Sequence, residues 1–190
     1  PTTASTQDIA LFLANDADGS ITPTEQQLAL PEEPTLRARA LLEHLLAEYA
    51  LPSSTHVLQS GPAVDDVFFV NLPITTPTPI NTLSATTGLP QQDKPHSSRS
   101  IKSTGQLAVV NLHGSFVENH PSGIQIEDLT LRSIIETLHA AFPQITEVRF
   151  LVNGQPRDTL AGHADLTRTY PAVKAMLAMP EKFHGLSDVE

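Results

Sequence analysis

One short run near the carboxyl end of the chain constrains the fold more than any other feature. Val148, Phe150 and Val152 point to one face of an extended chain, and Glu147, Arg149 and Leu151 point to the other, which predicts a half-buried strand. Asn153-Gly154 follows at once, and this pair favours a type I′ turn because both of its positions need positive φ. We therefore predict a hairpin whose second strand runs through Arg157 and Leu160.

Two segments are predicted to be amphipathic helices, and proline marks the ends of both. The first is PEEPTLRARALLEHLLAEYALP at residues 31–52, and the second is IEDLTLRSIIETLHAAFP at residues 126–143. Each carries leucine or isoleucine at helical spacing on one side and charged residues on the other, so each should face a core. We expect a shared core that contains Leu45, Leu138, Phe142 and Phe150.

The remaining β-rich runs predict the other strands and the fold class. They are ASTQDIALFLAN and ITPTEQQLAL on either side of an NDADGS turn, HVLQSG, VDDVFFVNL and GQLAVVNLHGSFV. Strands therefore alternate with two helices along the chain. This order predicts an α+β fold in which a single sheet is covered on one face by two helices.

A long insertion interrupts this pattern between Pro73 and Gly105. Proline, threonine and serine dominate it, and Lys94, Arg99 and Lys102 form its basic cluster. It has too few apolar residues for a core of its own, so it is either a tolerated surface insertion or a contact for a partner. The predicted organisation is a tail at 1–7, a domain at 8–170 with the insertion at 73–105, and a carboxyl-terminal extension at 171–190.

The charge balance and composition exclude several classes of protein. The formal net charge is -10, which repels phosphate backbones and argues against nucleic-acid binding. The chain has no cysteine, so disulfides, thiolate metal sites and cysteine nucleophiles are excluded. No apolar run approaches the ~20 residues that cross a bilayer. Pro1 is not a translation start, and we expect a fragment separated from a membrane anchor.

The first turn resembles a calcium-binding loop. Asp16, Asp18, Gly19 and Glu25 occupy four of the positions that an EF-hand uses. The first ligand position, however, holds Ala14, and a strand rather than a helix precedes the loop. An ordinary Asp-Gly turn is therefore the preferred interpretation.

HGSFVENH places a second group of candidate ligands close together. His113 and Glu118 are five residues apart and would face opposite sides of a strand, and His120 falls in the loop beyond. His113 and Ser115 share a face, but no glycine-flanked elbow surrounds the serine. Neither a metal site nor a serine hydrolase is the preferred interpretation.

LAGHADLT contains the most suggestive constellation, formed by Gly162, His163 and Asp165. In the structural interpretation, Gly162 ends a strand, His163 donates to a carbonyl, and Asp165 accepts backbone amides in a turn. The alternative is acid-base chemistry, which would need the histidine in a cleft with a strongly shifted pKa. We favour the structural interpretation.

Several segments, taken in order, resemble the GerM domain of sporulation, germination and envelope proteins. They are FLANDADGSITP, the leucine-rich helix, LAVVNLHGSF, IIETLHAAFPQITEVRFLVNGQP and LAGHADLT, and together they span about residues 8 to 169. The resemblance implies a ring-building-motif-like α+β fold without a cofactor or established catalysis. It makes five residues part of the family motif, with an expected structural role: Asn153, Gly154, Gly162, His163 and Asp165.

Two functional hypotheses follow. The first is a non-catalytic, extracytoplasmic interaction or scaffold domain in an envelope or sporulation-related assembly, which would bind a protein partner or a copy of itself. It would touch a membrane only through an anchor outside this sequence, with Lys94, Arg99 and Lys102 as candidate partner contacts. The alternative is a small hydrolase or metal-binding protein that uses His163 and Asp165, with His113 as a further candidate.

Overall fold

The computed structural model describes residues 4–73 and 105–172. Its elements, in chain order, are β1 (Ala4–Asn15), β2 (Ser20–Pro31), α1 (Pro34–Glu48), β3 (Val64–Leu72), β4 (Gly105–Leu112), α2 (Gly114–Glu118), α3 (Ile124–Ala141), β5 (Ile145–Val152) and β6 (Thr169–Pro171). The α+β class is therefore confirmed. None of the helices within the described ranges combines the length and apolar character needed to cross a membrane.

The strands form two sheets, which corrects the prediction of a single sheet. β1 and β2 pair only with each other, as an antiparallel hairpin. The second sheet has the order β3-β4-β5-β6, in which β4 and β5 are parallel and the other pairs are antiparallel. The two sheets are separate because the hairpin packs on the helices instead of extending the larger sheet.

The helices link the two sheets. α1 packs on β2 and β3, and α3 packs on β1 and β5. The apolar side of α3 contributes Ile134 and Leu138, while Thr130, Ser133 and Thr137 are buried as well. A helix that is buried on more than one side must satisfy such hydroxyls with hydrogen bonds. The β1 backbone provides one of them, since Phe12 N–H donates to Thr137 Oγ1 at 2.9 Å.

The predicted shared core is confirmed. Leu45, Leu138 and Phe150 have no exposed surface, and Phe142 is 6% exposed. The first helix also begins where the sequence predicts, with Pro34 in its first turn and the Glu33 carboxylate accepting hydrogen bonds from the next free amides. The core therefore joins α1, α3 and the larger sheet, as the apolar spacing requires.

Two predicted strands are wrong. HVLQSG at residues 56–61 contains no strand, and its first residue, His56, is fully buried as part of the connection from α1 to β3. The strand predicted through HGSFV ends at Leu112, after which α2 begins. His113 has extended backbone angles and caps that helix through its ring nitrogen, which accepts from Ser115 N–H.

The hairpin predicted after β5 is confirmed only at its turn. Asn153 and Gly154 have φ values of 50° and 74°, and Val152 pairs with Gln155 through an isolated bridge. The predicted return through Arg157 and Leu160 is not a strand. Instead, an irregular loop follows, and β6 pairs with β5 only at residues 147–149.

The predicted boundaries of the tail, the insertion and the carboxyl-terminal extension can be compared with the structure only in part. β1 begins at Ala4 and its first residue pairs with Pro31, so the strand already includes residues of the predicted tail. Most of the insertion, with Lys94, Arg99 and Lys102, lies outside the described residues, as does nearly all of the carboxyl-terminal extension.

Candidate functional site

The Gly162-His163 loop is built around one buried carboxylate, that of Glu127 in the first turn of α3. Glu127 has no exposed surface. Its Oε2 atom accepts hydrogen bonds from the backbone amides of Ala161, His163 and Ala164 at 3.0, 2.9 and 2.8 Å. Its Oε1 atom accepts from Gly123 N–H at 3.1 Å. Buried amides need hydrogen-bond acceptors. The Glu127 carboxylate therefore provides the acceptors that the carbonyls of a neighbouring strand would provide in a sheet.

These contacts determine the protonation state of Glu127. Burial raises the pKa of this carboxyl, but hydrogen bonds from the amides of Ala164, Ala161 and Gly123 and from the His163 side chain lower it further, to about 2. An anion that accepts several backbone N–H bonds is stabilised relative to its protonated form. Glu127 is therefore a fixed negative charge beneath the loop.

His163 lies between an acid and a hydroxyl, but not in the arrangement of a catalytic triad. Its Nδ1 atom is 2.9 Å from Glu127 Oε1 and 3.4 Å from Ser122 Oγ. A triad places the acid on one ring nitrogen and the nucleophile on the other. Here both neighbours share Nδ1, so the ring cannot be oriented by the acid while it takes the proton of the serine.

Asp165 takes part in a local turn. Its Oδ1 atom accepts from Thr167 N–H at 2.8 Å and from the Thr167 hydroxyl at 2.6 Å. These two hydrogen bonds, the side-chain one first, lower the pKa of the Asp165 carboxyl. Asp165 is exposed, and its carboxylate has no hydrogen bond to His163 in the described structure. The histidine and the aspartate of the Gly-His-x-Asp motif therefore have different hydrogen-bond partners, Glu127 for His163 and Thr167 for Asp165.

Gly162 has a φ of 118°, a conformation that residues with a Cβ rarely adopt. This conformation lies between the amides of Ala161 and His163, which both point at Glu127. Glycine is thus required here for the loop to wrap around the carboxylate.

The Asn153-Gly154 turn holds the ends of β4 and α2. Asn153 Oδ1 accepts from Gly114 N–H at 2.8 Å, and Gly154 N–H donates to Asn111 Oδ1 at 2.6 Å. A Cβ on Gly114 would lie 2.4 Å from Asn153 Nδ2, so glycine also allows this close approach. The contacts of Asn153 and Gly154 are those of an architectural turn.

The residues of HGSFVENH do not form one cluster. His113 and Ser115 do meet, with 2.7 Å between Nδ1 and Oγ, but in the cap of α2 rather than on a strand. Glu118 is exposed on α2. His120 is 7% exposed, and its Nε2 atom contacts Thr130 Oγ1 at 2.9 Å.

The residues of the calcium-like loop also take other partners. Asp18 Oδ1 accepts from Ser20 N–H at 2.9 Å, and Asp16 Oδ1 is 2.6 Å from His56 Nδ1. Glu25 is exposed in β2. Across residues 4–73 and 105–172, no group of three or more histidine, aspartate or glutamate side chains has an arrangement that could hold a metal ion.

One face of the four-stranded sheet offers an apolar surface. Val67 of β3, Val110 of β4 and Phe150 of β5 point to the buried side of the sheet. Their immediate neighbours along each strand therefore point to the opposite side. Phe68 and Val70 on that side are 49% and 48% exposed. Cross-strand pairing extends two rows from them, Phe68–Val109–Arg149 and Val70–Leu107–Glu147. We call this surface the open sheet face.

Sequence reasoning missed Glu127 and His56. Glu127 reads as an ordinary solvated acid in a first helical turn, although the glycine four residues before it, Gly123, is a weak signal of a backbone contact. His56 lies in a run whose pattern predicts a strand, and nothing in its sequence neighbours indicates complete burial. His56 and, apart from the Gly123 amide, Glu127 acquire their side-chain partners from segments distant in sequence.

The similarity of this chain to known proteins is clearest at the level of a family. The Germane family model, described as sporulation and spore germination, matches residues 10–158. No curated protein matches the chain. A crystal structure described as "Putative Lipoprotein from Clostridium perfringens" is 17% identical, with a TM-score of 0.38, and the alignment covers 88% of this chain and 87% of that one.

Proposed function

Because this chain belongs to the Germane family of sporulation and spore germination, we propose that it is a non-catalytic interaction domain of a cell-envelope assembly. The family match confirms the GerM resemblance of the sequence. The observation that carries the proposal is the open sheet face, where Phe68 and Val70 remain about half exposed.

An apolar sheet face of this kind is unfavourable in water and is typical of a protein interface. Phe68 and Val70 lie on β3, at one edge of the sheet, and Leu107 and Val109 continue the surface onto β4. Aromatic and branched side chains on a regular sheet form a flat, rigid surface, so little conformational entropy is lost when a partner covers it.

The charges of the segment that joins β3 to β4 bear on the chemistry of the partner. Val70 pairs with Leu107 close to the ends of β3 and β4, which are the points that residues 73–105 connect. That segment carries Lys94, Arg99 and Lys102 in a chain of net charge -10. We infer a protein partner with an apolar patch beside acidic groups, which the three cations would attract by charge complementarity.

The geometry of the motif supports a function without catalysis. His163 has both its carboxylate and its hydroxyl neighbour at Nδ1, and Asp165 is occupied by Thr167. Glu127 binds backbone amides rather than a nucleophile. These contacts explain Gly162, His163 and Asp165 as parts of a folded loop, and within residues 4–73 and 105–172 His163 and Asp165 are not assembled into a catalytic set.

We place the domain outside the cytoplasm, in the cell envelope, held there by a membrane anchor elsewhere in the full-length protein. The support is the family description of sporulation and spore germination. The partner in this proposal is another envelope protein, and a second copy of this chain is the competing outcome of the test below.

The test compares capture from envelope extracts by three immobilised forms. They are the wild type, the double variant Phe68→Ser/Val70→Ser, and a control, Leu51→Ser/Val57→Ser. Leu51 and Val57 are 45% and 59% exposed and lie outside the sheet. The open-face variant should bind the partner about tenfold more weakly, while the control should match the wild type.

A second arm replaces Lys94, Arg99 and Lys102 with serine and measures association with the purified partner. The on-rate should fall, and raising the salt towards 1 M, where the Debye length is about 3 Å, should lower the wild type to the level of the variant. Sedimentation of the chain alone detects self-association. Equal capture by the open-face and control variants would rule out this face as the contact.

A further inference from the structure

A buried chain of hydrogen bonds joins the tip of the β1–β2 hairpin to α3. His56, with no exposed surface, contacts Asp16 Oδ1 through Nδ1 at 2.6 Å and Thr130 Oγ1 through Nε2 at 2.8 Å. His120 contacts the same Thr130 Oγ1 through Nε2 at 2.9 Å, and Pro121 O through Nδ1 at 2.7 Å. Two imidazoles therefore meet at one hydroxyl.

The outer partners determine the hydrogen on each Nδ1 atom. A carbonyl can only accept, so His120 Nδ1 must donate to Pro121 O. An ionised carboxylate also only accepts, so His56 Nδ1 must donate to Asp16. If both rings were neutral, each Nε2 atom would then be a lone pair that points at Thr130.

Thr130 cannot satisfy two lone pairs. Its hydroxyl has one hydrogen, and a third acceptor, Ile126 O, lies 3.0 Å away. Whichever acceptor takes this hydrogen, at least one of the two imidazoles must supply its own hydrogen at Nε2. The hydrogen-bond pattern therefore requires at least one doubly protonated ring.

The surroundings identify which ring that is. Burial is the largest influence on the pKa of His120 and lowers it, while the hydrogen bond to Pro121 O, with the more distant Glu127 and Asp16, only partly opposes this. His56 instead has the Asp16 carboxylate in direct contact. The Tyr49 ring, edge-on at 4.6 Å between centroids, adds no charge at neutral pH.

We infer that His56 carries hydrogen on both ring nitrogens in the folded protein at neutral pH, and that this proton fastens the hairpin tip to α3. Thr130 then donates to His120, and His56 donates to both Asp16 and Thr130. Each ring nitrogen of the two histidines then has a hydrogen-bond partner. Loss of the proton leaves a buried lone pair without a donor, which favours separation of the hairpin tip. This inference is independent of the proposed function.

The contacts around Asp16 make the tip the segment that responds. Asp16 N–H donates to Thr55 O at 3.0 Å, and Gln125 Nε2 donates to Asp16 O at 2.9 Å. The Asp16 side chain is 36% exposed, which gives the proton a route to solvent. Asp16 is therefore the residue through which the hairpin tip contacts both the α1–β3 connection and α3.

Nitrogen-15 NMR of the histidine rings tests the inference on the wild-type protein. At pH 7.5, where an unperturbed histidine of pKa about 6.5 is mostly neutral, His56 should show two protonated ring nitrogens and His120 only a protonated Nδ1. Neutral rings at both positions would overturn the inference, and so would a charged His120 beside a neutral His56.

A matched pair of variants provides the second test. Thr130→Val removes the shared hydroxyl, so His56 should become neutral at pH 7.5. Thr137→Val removes another buried hydroxyl of α3, one that contacts Phe12 N–H and neither histidine, and His56 should stay doubly protonated. If Thr130→Val does not fold, Thr130→Ser, which keeps the hydroxyl, should preserve the wild-type spectrum, and a neutral His56 in this variant would contradict the inference.

Amide exchange measures the consequence for the hairpin tip. Between pH 6 and pH 9, after correction for intrinsic exchange, protection of the Asp16 amide should fall about tenfold, because one buried acceptor has lost its donor. The amide of Leu11 in the middle of β1 should keep its protection. Equal changes at both amides would show that the proton does not act on the tip.

Discussion

Glu127 shows how a single side chain can organise a loop that has no regular structure. Three amides on one of its oxygens and one on the other take the place of a strand ladder. Since this requires an anion, the loop depends on charge as much as on shape. Two predictions follow from this residue.

The stability of the fold should depend on acid through Glu127. The pKa of Glu127 in the folded protein is about 2, against an ordinary value of 4.5 for a glutamate carboxyl. A carboxyl with a depressed folded pKa contributes stability that is fully present above the unfolded pKa and is lost as the pH falls through the folded one. The fully buried carboxylate should thus contribute about 3 kcal/mol above pH 5, declining between pH 4.5 and pH 2. Urea unfolding across this range measures it.

Glu127→Gln should destabilise the folded chain by about 2 to 3 kcal/mol at pH 7, because an amide nitrogen would replace one charged acceptor. The matched control is Glu136→Gln on the same helix, whose carboxylate makes only an exposed ion pair with Arg132, and it should change stability by less than about 0.5 kcal/mol. The acid dependence between pH 4.5 and pH 2 should flatten in Glu127→Gln alone. A full wild-type acid dependence in this variant would contradict the assignment.

At the scale of elements, α3 is the helix that joins the two sheets, because β1 packs on one of its sides and β5 on another. Ile134 and Leu138 belong to the apolar core, while Ser133 and Thr137 accept hydrogen bonds from Tyr49 and from β1. The hydroxyl side explains why the hairpin rests on the helix, since a ribbon edge needs acceptors for its free amides.

Phe150→Ala should destabilise the protein by about 3 to 5 kcal/mol, as expected for a fully buried phenylalanine. Phe150 has no exposed surface and packs edge-on against the Tyr170 ring at 5.9 Å between centroids. Phe68→Ala on the open sheet face is the control, and its effect should stay below about 1 kcal/mol. Chemical denaturation of both variants provides the comparison, and similar midpoints would contradict this assignment of the two faces.

At the scale of the whole molecule, the described residues enclose the helices between a hairpin and a four-stranded sheet, while one sheet face remains open. The titratable side chains with the most distinctive environments are used inside this arrangement. Glu127 accepts the amides of a loop, and His56 links Asp16 at the hairpin tip to Thr130 of α3, which His120 also contacts. Among the described residues, the open sheet face is left as an apolar surface that can contact other molecules.

The purified protein should hold no stoichiometric zinc or calcium after dialysis. Within the described residues, no three potential ligands converge, and the candidate residues Asp16, Asp18 and His120 already have hydrogen-bond partners. Elemental analysis should give well under one metal per chain. One equivalent of either metal, lost together with stability in Asp16→Asn, would contradict this prediction.

The fold class was readable from the sequence where local patterns are strong. Apolar spacing located α1 and α3, alternation located β1, β2 and β5, and the Asn153-Gly154 pair located its turn. The strand predicted at HVLQSG is wrong, because a short apolar run does not reveal whether its residues pair with a neighbouring strand or enter a buried histidine network. The strand predicted through HGSFV is wrong beyond Leu112, because His113 caps a short helix, α2, that the alternation of residues does not reveal.

The sequence by itself therefore determined the α+β class, the main elements and the motif that identifies the family, since each depends on the spacing of nearby residues. Tertiary structure decided the division into two sheets and the burial of Glu127. It also decided that the carboxylate and the hydroxyl meet the same nitrogen of His163. The physical reason is that hydrogen bonds between distant segments depend on how complete elements pack, and this information is absent from any single stretch of the chain.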